Sequence, residues 1–392
     1  MADEILLGTK KGTLIFDRKP SGWTPRPIAH GGMSISYAAR DPRDGTLWVA
    51  MDLAHWGPKL SRSKDNGATW ENLTQIAYPK GARFLEQHLP APGQDDSQRP
   101  TTYKEATLLK VWVLAFGGAS QPGVIHAGTL PGGLFTSRDG GDTWELNVPL
   151  WNHPSRGGDL FAGDATSRND WGGTPAAMAY GEFVPGIHSV VVHPRDPDQM
   201  LVGVSCAGIL GTTDGGKTWH GRNKGMLNDY LPNPAADWGH DPHFVAQSSG
   251  APDFVWQQNH SGVFTSVDGA KTWKRVSKPD VAVHFGFPIA VDANDGRVAW
   301  VVPAIGDDRR MAVGGGLFVA RTTDGGESWQ AFRRGLPQEN AYDVVYRHAL
   351  DARGDRVCFG STTGNVYVSE DRGESWRCIG NNLPPVHSVR FA

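Results

Sequence analysis

An octapeptide, Ser/Thr-x-Asp-x-Gly-x-Ser/Thr-Trp, recurs six times along the chain, and self-similarity of this kind constrains architecture more firmly than any local propensity. The copies are Ser63–Trp70, Ser137–Trp144, Thr212–Trp219, Ser266–Trp273, Thr322–Trp329 and Ser369–Trp376, the fourth carrying Ala270 where the others have Gly. Between two short apolar runs, x-Asp-x-Gly reads as a hairpin. The Asp side chain binds the amides ahead of it, Gly accepts a positive φ, and the Trp packs between neighbouring sheets. Each copy follows a Gly-bearing turn and a short apolar strand, as at Gly132–Thr136, Ala207–Leu210 and Ser261–Phe264. Upstream lie another strand, such as Val124–Gly128 or Met200–Gly203, and a longer apolar run ending in a polar turn, such as His188–Asp196. The unit is therefore four strands, A to D, with the octapeptide at the C–D hairpin. Four-stranded units repeated in this way predict an all-β protein, a β-propeller.

The number of units follows from the two ends of the chain. Ile5–Thr9, Gly12–Asp17 and Trp23–Ile28 match strands B, C and D but have neither a strand A nor an octapeptide. The C-terminal Val386–Phe391 matches the strand A at His188–Val190 almost letter for letter. Seven blades are expected, six with an octapeptide and a first one completed by the C-terminal strand, so that residues 1–392 form a single propeller domain. Such closure removes two exposed sheet edges.

Composition narrows function mainly by exclusion. With 39% hydrophobic and 20% charged residues, and 50 Gly among 392, the chain is globular rather than disordered. No apolar run reaches the ~18 to 20 residues of a membrane span, so no membrane partner is expected. Met1–Lys11 carries acidic residues where a secretory leader is basic, which points to the cytoplasm. A net charge of −3, from 38 basic and 41 acidic side chains, offers no field for a polyanion, so no nucleic-acid partner is expected. Cys206, Cys358 and Cys378 form no CxxC and are expected to be buried small hydrophobes.

The octapeptide resembles the Asp-box, or BNR repeat, of sialidase-like propellers, whose hosts include sialidases, xyloglucan hydrolases, sortilin-type receptors and a plant photosystem assembly factor. The layout, including Gly239-His240-Asp241-Pro242-His243, Gln257-Gln258-Asn259-His260-Ser261-Gly262 and His284-Phe285-Gly286-Phe287-Pro288, is similar to bacterial BNR-repeat proteins of glycosyl-hydrolase type. The resemblance covers essentially the whole chain. It implies the fold but no one chemistry, because its hosts include enzymes and binding proteins alike. The sialidase Phe/Tyr-Arg-Ile-Pro motif is missing, and no arginine triad for a sugar carboxylate is evident, so a classical sialidase is not expected.

Spacing then locates the functional face. The intervals from Trp70 to Trp144 and from Trp144 to Trp219 are much longer than the later ones, and the extra residues fall between a strand D and the next strand A, at 78–105 and 151–185. A shorter elaboration covers 222–241. D–A and B–C connections share one rim, opposite the octapeptides, and elaborated loops on a rigid scaffold are where binding sites are usually placed. Histidines gather on the same rim. His188, His243 and His387 start strand A in the fourth, fifth and first blades, Asp343 takes that place in the seventh, and His284 lies close to it in the sixth.

Converging neutral imidazoles suit a borderline transition metal. The expectation is a metal-dependent enzyme in which His188, His243, His284 and His387 ligate zinc, iron or copper at the mouth of the central channel, acting on a small molecule by hydrolysis or oxidation. Asp343 is a candidate catalytic or ligand-orienting carboxylate, and Glu105 and Glu182 are candidate acids or bases. Trp151, His153 and Arg156, with His55 and His260 on adjoining loops, are expected to line the substrate site, while Arg309 and Arg310 suit a substrate carboxylate. The competing reading is that the rim residues bond only to one another and to trapped water. Two other functions stay open: a non-sialidase glycan-active hydrolase, and a non-catalytic binding or assembly propeller.

Overall fold

The computed structural model describes residues 3–73, 75–87, 101–156, 185–231 and 233–392. It is all-β, with seven four-stranded antiparallel sheets, and belongs to the seven-bladed β-propeller class. By packing, the chain divides into two compact parts, Met1–Leu73 with His243–Ala392 and Thr74–Pro242. The division falls inside one strand, Pro242–Gln247.

The first part holds five sheets. The first has the order Gly22–Pro25, Gly12–Lys19, Glu4–Thr9, Val386–Phe391, and the second runs Ser34–Arg40, Leu47–Asp52, Pro58–Ser63, Glu71–Asn72. The fifth runs Pro242–Gln247, Val255–Asn259, Gly262–Ser266, Lys274–Arg275. The sixth and seventh begin with strands Gly286–Val291 and Leu350–Arg353. The second part holds the third and fourth sheets, which begin with Lys110–Phe116 and Ile187–Val192, and a hairpin of Arg83–Gln87 with Thr101–Glu105. Among the described residues no helix is long and apolar enough to cross a membrane.

The C-terminal strand completes the first sheet as its sequence predicts. Ile5, Leu6, Leu7 and Gly8 face Phe391, Arg390, Val389 and Ser388 across an antiparallel ladder. Gly8 is required by close approach: a Cβ there would stand 2.5 Å from Ser388 Oγ. That hydroxyl also accepts the Ala38 amide of the second sheet at 3.1 Å.

Each octapeptide folds as its composition dictates. In the third sheet Ser137 Oγ donates to Asp139 Oδ1 at 2.8 Å and accepts the Gly141 amide at 2.7 Å, while the Thr143 amide and hydroxyl donate to the two oxygens of Asp139 at 2.9 and 2.5 Å. The glycine position is left-handed throughout, with φ of 88°, 94°, 87°, 93° and 94° at Gly67, Gly141, Gly216, Gly326 and Gly373. Ala270 adopts it too, at φ 65°, although a Cβ disfavours that conformation. One expectation fails: Cys206 and Cys358 are buried, but Cys378 is exposed, because it lies on the outermost strand of its sheet, Arg377–Gly380.

Trp219 shows what the repeat tryptophans do. It is 5% exposed, and its indole N–H is shared between the Gly216 carbonyl at 3.2 Å and Asn147 Oδ1 at 3.1 Å. The same Asn147 oxygen caps the short helix Val148–Trp151 by accepting the Leu150 amide. Trp219 therefore ties the fourth sheet to the end of the third. Trp219→Ala is expected to cost ~3 to 5 kcal/mol, read as a lowered urea midpoint.

The repeat also predicts acid sensitivity. Hydrogen bonds from Thr69, then Ser63, hold the Asp65 carboxyl at about 2, and the same pattern depresses Asp139 and Asp214 further. At Asp268, Asp324 and Asp371 burial pushes upward, but the hydrogen bonds outweigh it. A carboxyl held below its unfolded value of about 3.9 stabilises the fold above that pH and loses the effect as pH falls through the folded value. The melting temperature should therefore fall steeply between about pH 4 and pH 2. In calorimetry at a series of pH values, Asp214→Asn should melt lower at neutral pH and show a shallower acid limb.

Candidate functional site

In each of the six sheets that carry an octapeptide, the start of strand A and the B–C turn lie at one end and the octapeptide hairpin lies at the other. At the former end of the fifth sheet, two segments singled out in the sequence come together around His243. Gln257–Gly262 forms the end of strand B and the B–C turn, and His284–Pro288 opens strand A of the sixth sheet.

His243 is at their centre and is 2% exposed. Its Nδ1 donates to the Gly286 carbonyl at 2.6 Å, since a carbonyl can only accept. The bond holds the ring in one orientation through Nδ1. The ring stacks on Phe287, with centroids 4.7 Å apart and planes 24° from parallel, and meets Phe285 edge-on at 5.4 Å. The half-buried His260, in the B–C turn, lies 5.4 Å from His243 and 5.4 Å from Phe285.

The turn beneath His260 is built from buried amides. Asn259 Oδ1 accepts the Ser261 amide at 3.0 Å, Asn259 Nδ2 donates to Gln257 Oε1 at 3.0 Å, and Gln258 Nε2 donates to the His284 carbonyl at 2.9 Å. Asp241, half-buried, accepts the Cys206 amide at 3.0 Å. His243 and His260 offer ligand atoms within 4.8 Å of each other.

The expected four-histidine set is not what gathers here. Among the described residues, no group of three or more such side chains includes His188, His284 or His387. His387 donates from Nδ1 to the Ile35 carbonyl at 2.9 Å, so it clips strand A of the first sheet to strand A of the second, as His243 clips the fifth to the sixth. His284 is half-buried, and its carbonyl is used by Gln258. His188, fully buried in the second part, pairs its Nδ1 with Ser189 Oγ at 3.0 Å and meets Trp112 edge-on at 5.7 Å.

The other predicted residues are dispersed. Asp343 precedes the seventh sheet, whose first strand starts only at Leu350. Its Oδ1 accepts Ser361 Oγ at 2.6 Å, Thr363 Oγ1 at 2.6 Å and Asn365 Nδ2 at 2.9 Å, which fastens it to that sheet's B–C turn. Glu105 is exposed at the end of its hairpin strand, and Glu182 lies outside the described residues. Trp151 is 1% exposed, packed on Tyr78 at 5.0 Å, so it anchors a loop rather than offering a face to a substrate. Arg156 lies 4.1 Å from the Trp151 ring and donates to the Gly132 carbonyl at 2.6 Å, with burial pushing its guanidinium down to about 9. Burial likewise lowers His153, whose Nδ1 meets Ser155 Oγ at 2.7 Å. His55 is exposed beside Trp56. Arg310 is ion-paired with Asp307 and lies 5.3 Å from the Phe287 ring, while Arg309 pairs loosely with Asp308 at 3.5 Å.

Sequence reasoning passed over Phe285 and Phe287, which pack on His243, although both stand inside the quoted segments. It also passed over two aromatic rings left in solvent at the same end of their sheets. Trp56, in the B–C connection of the second sheet, is 78% exposed, and Tyr342, before strand A of the seventh, is 60% exposed.

No family model matches the chain. Among curated proteins it is similar to an oligoxyloglucan-reducing end-specific xyloglucanase of Emericella nidulans, at 29% identity over 305 residues covering 68% of this chain. It is also similar to a xyloglucanase of a Paenibacillus species, at 21% identity over 422 aligned positions covering 84% of this chain. The chain spans only 33% and 38% of the lengths of these relatives. Among solved structures, a GH74 enzyme of Niastella koreensis matches 96% of this chain and 52% of its own, with a TM-score of 0.58 at 18% identity. YCF48 bound to D1 peptide matches 94% of this chain and 89% of its own, with a TM-score of 0.53 at 14% identity. At such identities these structures establish the shared propeller fold alone.

Proposed function

We propose that this protein is a glycan-active hydrolase whose substrates are β-glucans of the xyloglucan type. The observation that carries this reading is the sequence similarity to two xyloglucanases across 68% and 84% of the chain. It favours a glycan over the small-molecule metalloenzyme that the histidine pattern suggested. The rim supplies chemistry that a sugar chain uses. The exposed ring of Trp56 offers a flat apolar face to the axial C–H bonds of a glucose unit, and Tyr342 offers a second. Glycoside hydrolysis calls for two carboxyl groups, one acting as acid and the other as base or nucleophile. Asp343, Glu105 and Glu182 are the side chains to test for those roles.

Purified protein incubated with xyloglucan and its oligosaccharides should release new reducing ends, with products resolved by mass spectrometry. Trp56→Ala should raise KM several-fold and leave kcat nearly unchanged, as loss of uniform substrate binding does. Absence of cleavage with xyloglucan, mixed-linkage glucan and cello-oligosaccharides, from protein shown to be folded, would overturn the hydrolase reading.

A further inference from the structure

Among the described residues, a polar cleft of about 250 Å³ opens between the third and fourth sheets, at the end that carries their octapeptide hairpins. It lies wholly within the second compact part, Thr74–Pro242. We infer that this cleft is a binding site for one neutral sugar ring. The choice of ligand rests on the glycan reading, whereas the place of the site rests on the cleft itself.

The cleft is held in shape by the residues around it. Val124, His126 and Met200 are its buried floor, and His126 Nδ1 meets Thr136 Oγ1 of the adjacent strand at 3.0 Å. Asn147 fixes the side formed by Val148 and Pro149. Its Nδ2 donates to the Gly216 carbonyl at 2.9 Å, while its Oδ1 accepts the Trp219 indole at 3.1 Å and the Leu150 amide at 2.9 Å. The segment after the third sheet is thereby tied to the octapeptide of the fourth. Pro197, in the turn between strands A and B of the fourth sheet, lines the cleft from that sheet. Walls already held in place cost little ordering when a ligand binds.

Charge chemistry at the margin selects the ligand. Arg138 and Glu145 of the third sheet and Asp198 of the fourth line the cleft, and all three are exposed. Among the described residues none of them is ion-paired. A guanidinium only donates and a carboxylate only accepts, so a ligand that satisfies both must carry acceptors and donors close together. Sugar hydroxyls are both at once. A simple anion would meet two carboxylates, and a simple cation would meet Arg138. Val148, Pro149 and Pro197 add apolar surface for the C–H face of a ring. The volume lies below the ~300 to 1,000 Å³ of sites for drug-sized ligands, which suits one ring rather than a chain. A terminal or branching unit of a glycan, entering end-on, meets these conditions. In these two sheets the cleft stands at the end opposite the B–C turns, so it serves binding rather than the chemistry of the rim.

The test uses full-length protein with isotope-labelled methionine methyl groups. D-Xylose, D-galactose and D-glucose are titrated separately, and the Met200 methyl signal, assigned with Met200→Leu, is followed by NMR. At least one sugar should shift that signal saturably, with Kd of about 1 mM. Glu145→Gln and Asp198→Asn alter exposed side chains. Each should raise Kd at least about 5-fold and leave the melting temperature and xyloglucan cleavage unchanged. Absence of a saturable shift with all of these sugars would overturn the inference. So would sugar binding that both variants leave unaltered, or a shift caused by glycine and by none of the sugars, which would mark an amino-acid site. Protein that cleaves xyloglucan but binds no sugar here would defeat this inference alone, whereas protein that binds a sugar here and cleaves no glycan would defeat the hydrolase reading alone.

Discussion

The antiparallel ladder between the two ends of the chain underlies the rest of the structure. Strand Val386–Phe391 lies against Glu4–Thr9, and the first sheet has no other strand A. Without it, Ile5, Leu6 and Leu7, all wholly buried, would face solvent along an open edge. The fit is tight at Gly8, where a Cβ would press on Ser388 Oγ, and that hydroxyl reaches on to the backbone of the second sheet. Two residues of this strand therefore act beyond their own sheet: Ser388 through the Ala38 amide, and His387 through the Ile35 carbonyl.

That last contact explains the chemistry of the rim. His387 and His243, each the second residue of a strand A, find a backbone carbonyl of the next sheet within reach of Nδ1, whereas His188 in the same place pairs its Nδ1 with Ser189 Oγ. The bond stabilises the junction and fixes the ring, so the imidazole cannot also turn freely toward an axis. A histidine held this way can still serve as a ligand through Nε2, provided that other donors come to it. In the fifth sheet the B–C turn brings His260, whose ligand atom lies within 4.8 Å of that of His243.

Much of the fold was legible in the chain because the octapeptide encodes its own hydrogen bonds. Asp139, Ser137, Gly141 and Thr143 each do what their chemistry prescribes, and the matching letters of His188–Val190 and His387–Val389 disclosed the composite sheet. The site was legible only in part. Register places a residue at one end of a strand, but it does not say whether the side chain points to an axis, to the neighbouring sheet or into a turn. Asp343 was read as the start of a strand, yet three donors of its own B–C turn hold it ahead of one. Trp151 looked like a platform because Trp often is one, and only packing against Tyr78 reveals an anchor.

The most direct measurement is urea unfolding of the full-length protein beside a variant truncated after Pro385. The account predicts that loss of strand Val386–Phe391 lowers the unfolding midpoint sharply, because the first sheet is then left with an open edge over Ile5, Leu6 and Leu7. An unchanged midpoint would contradict it.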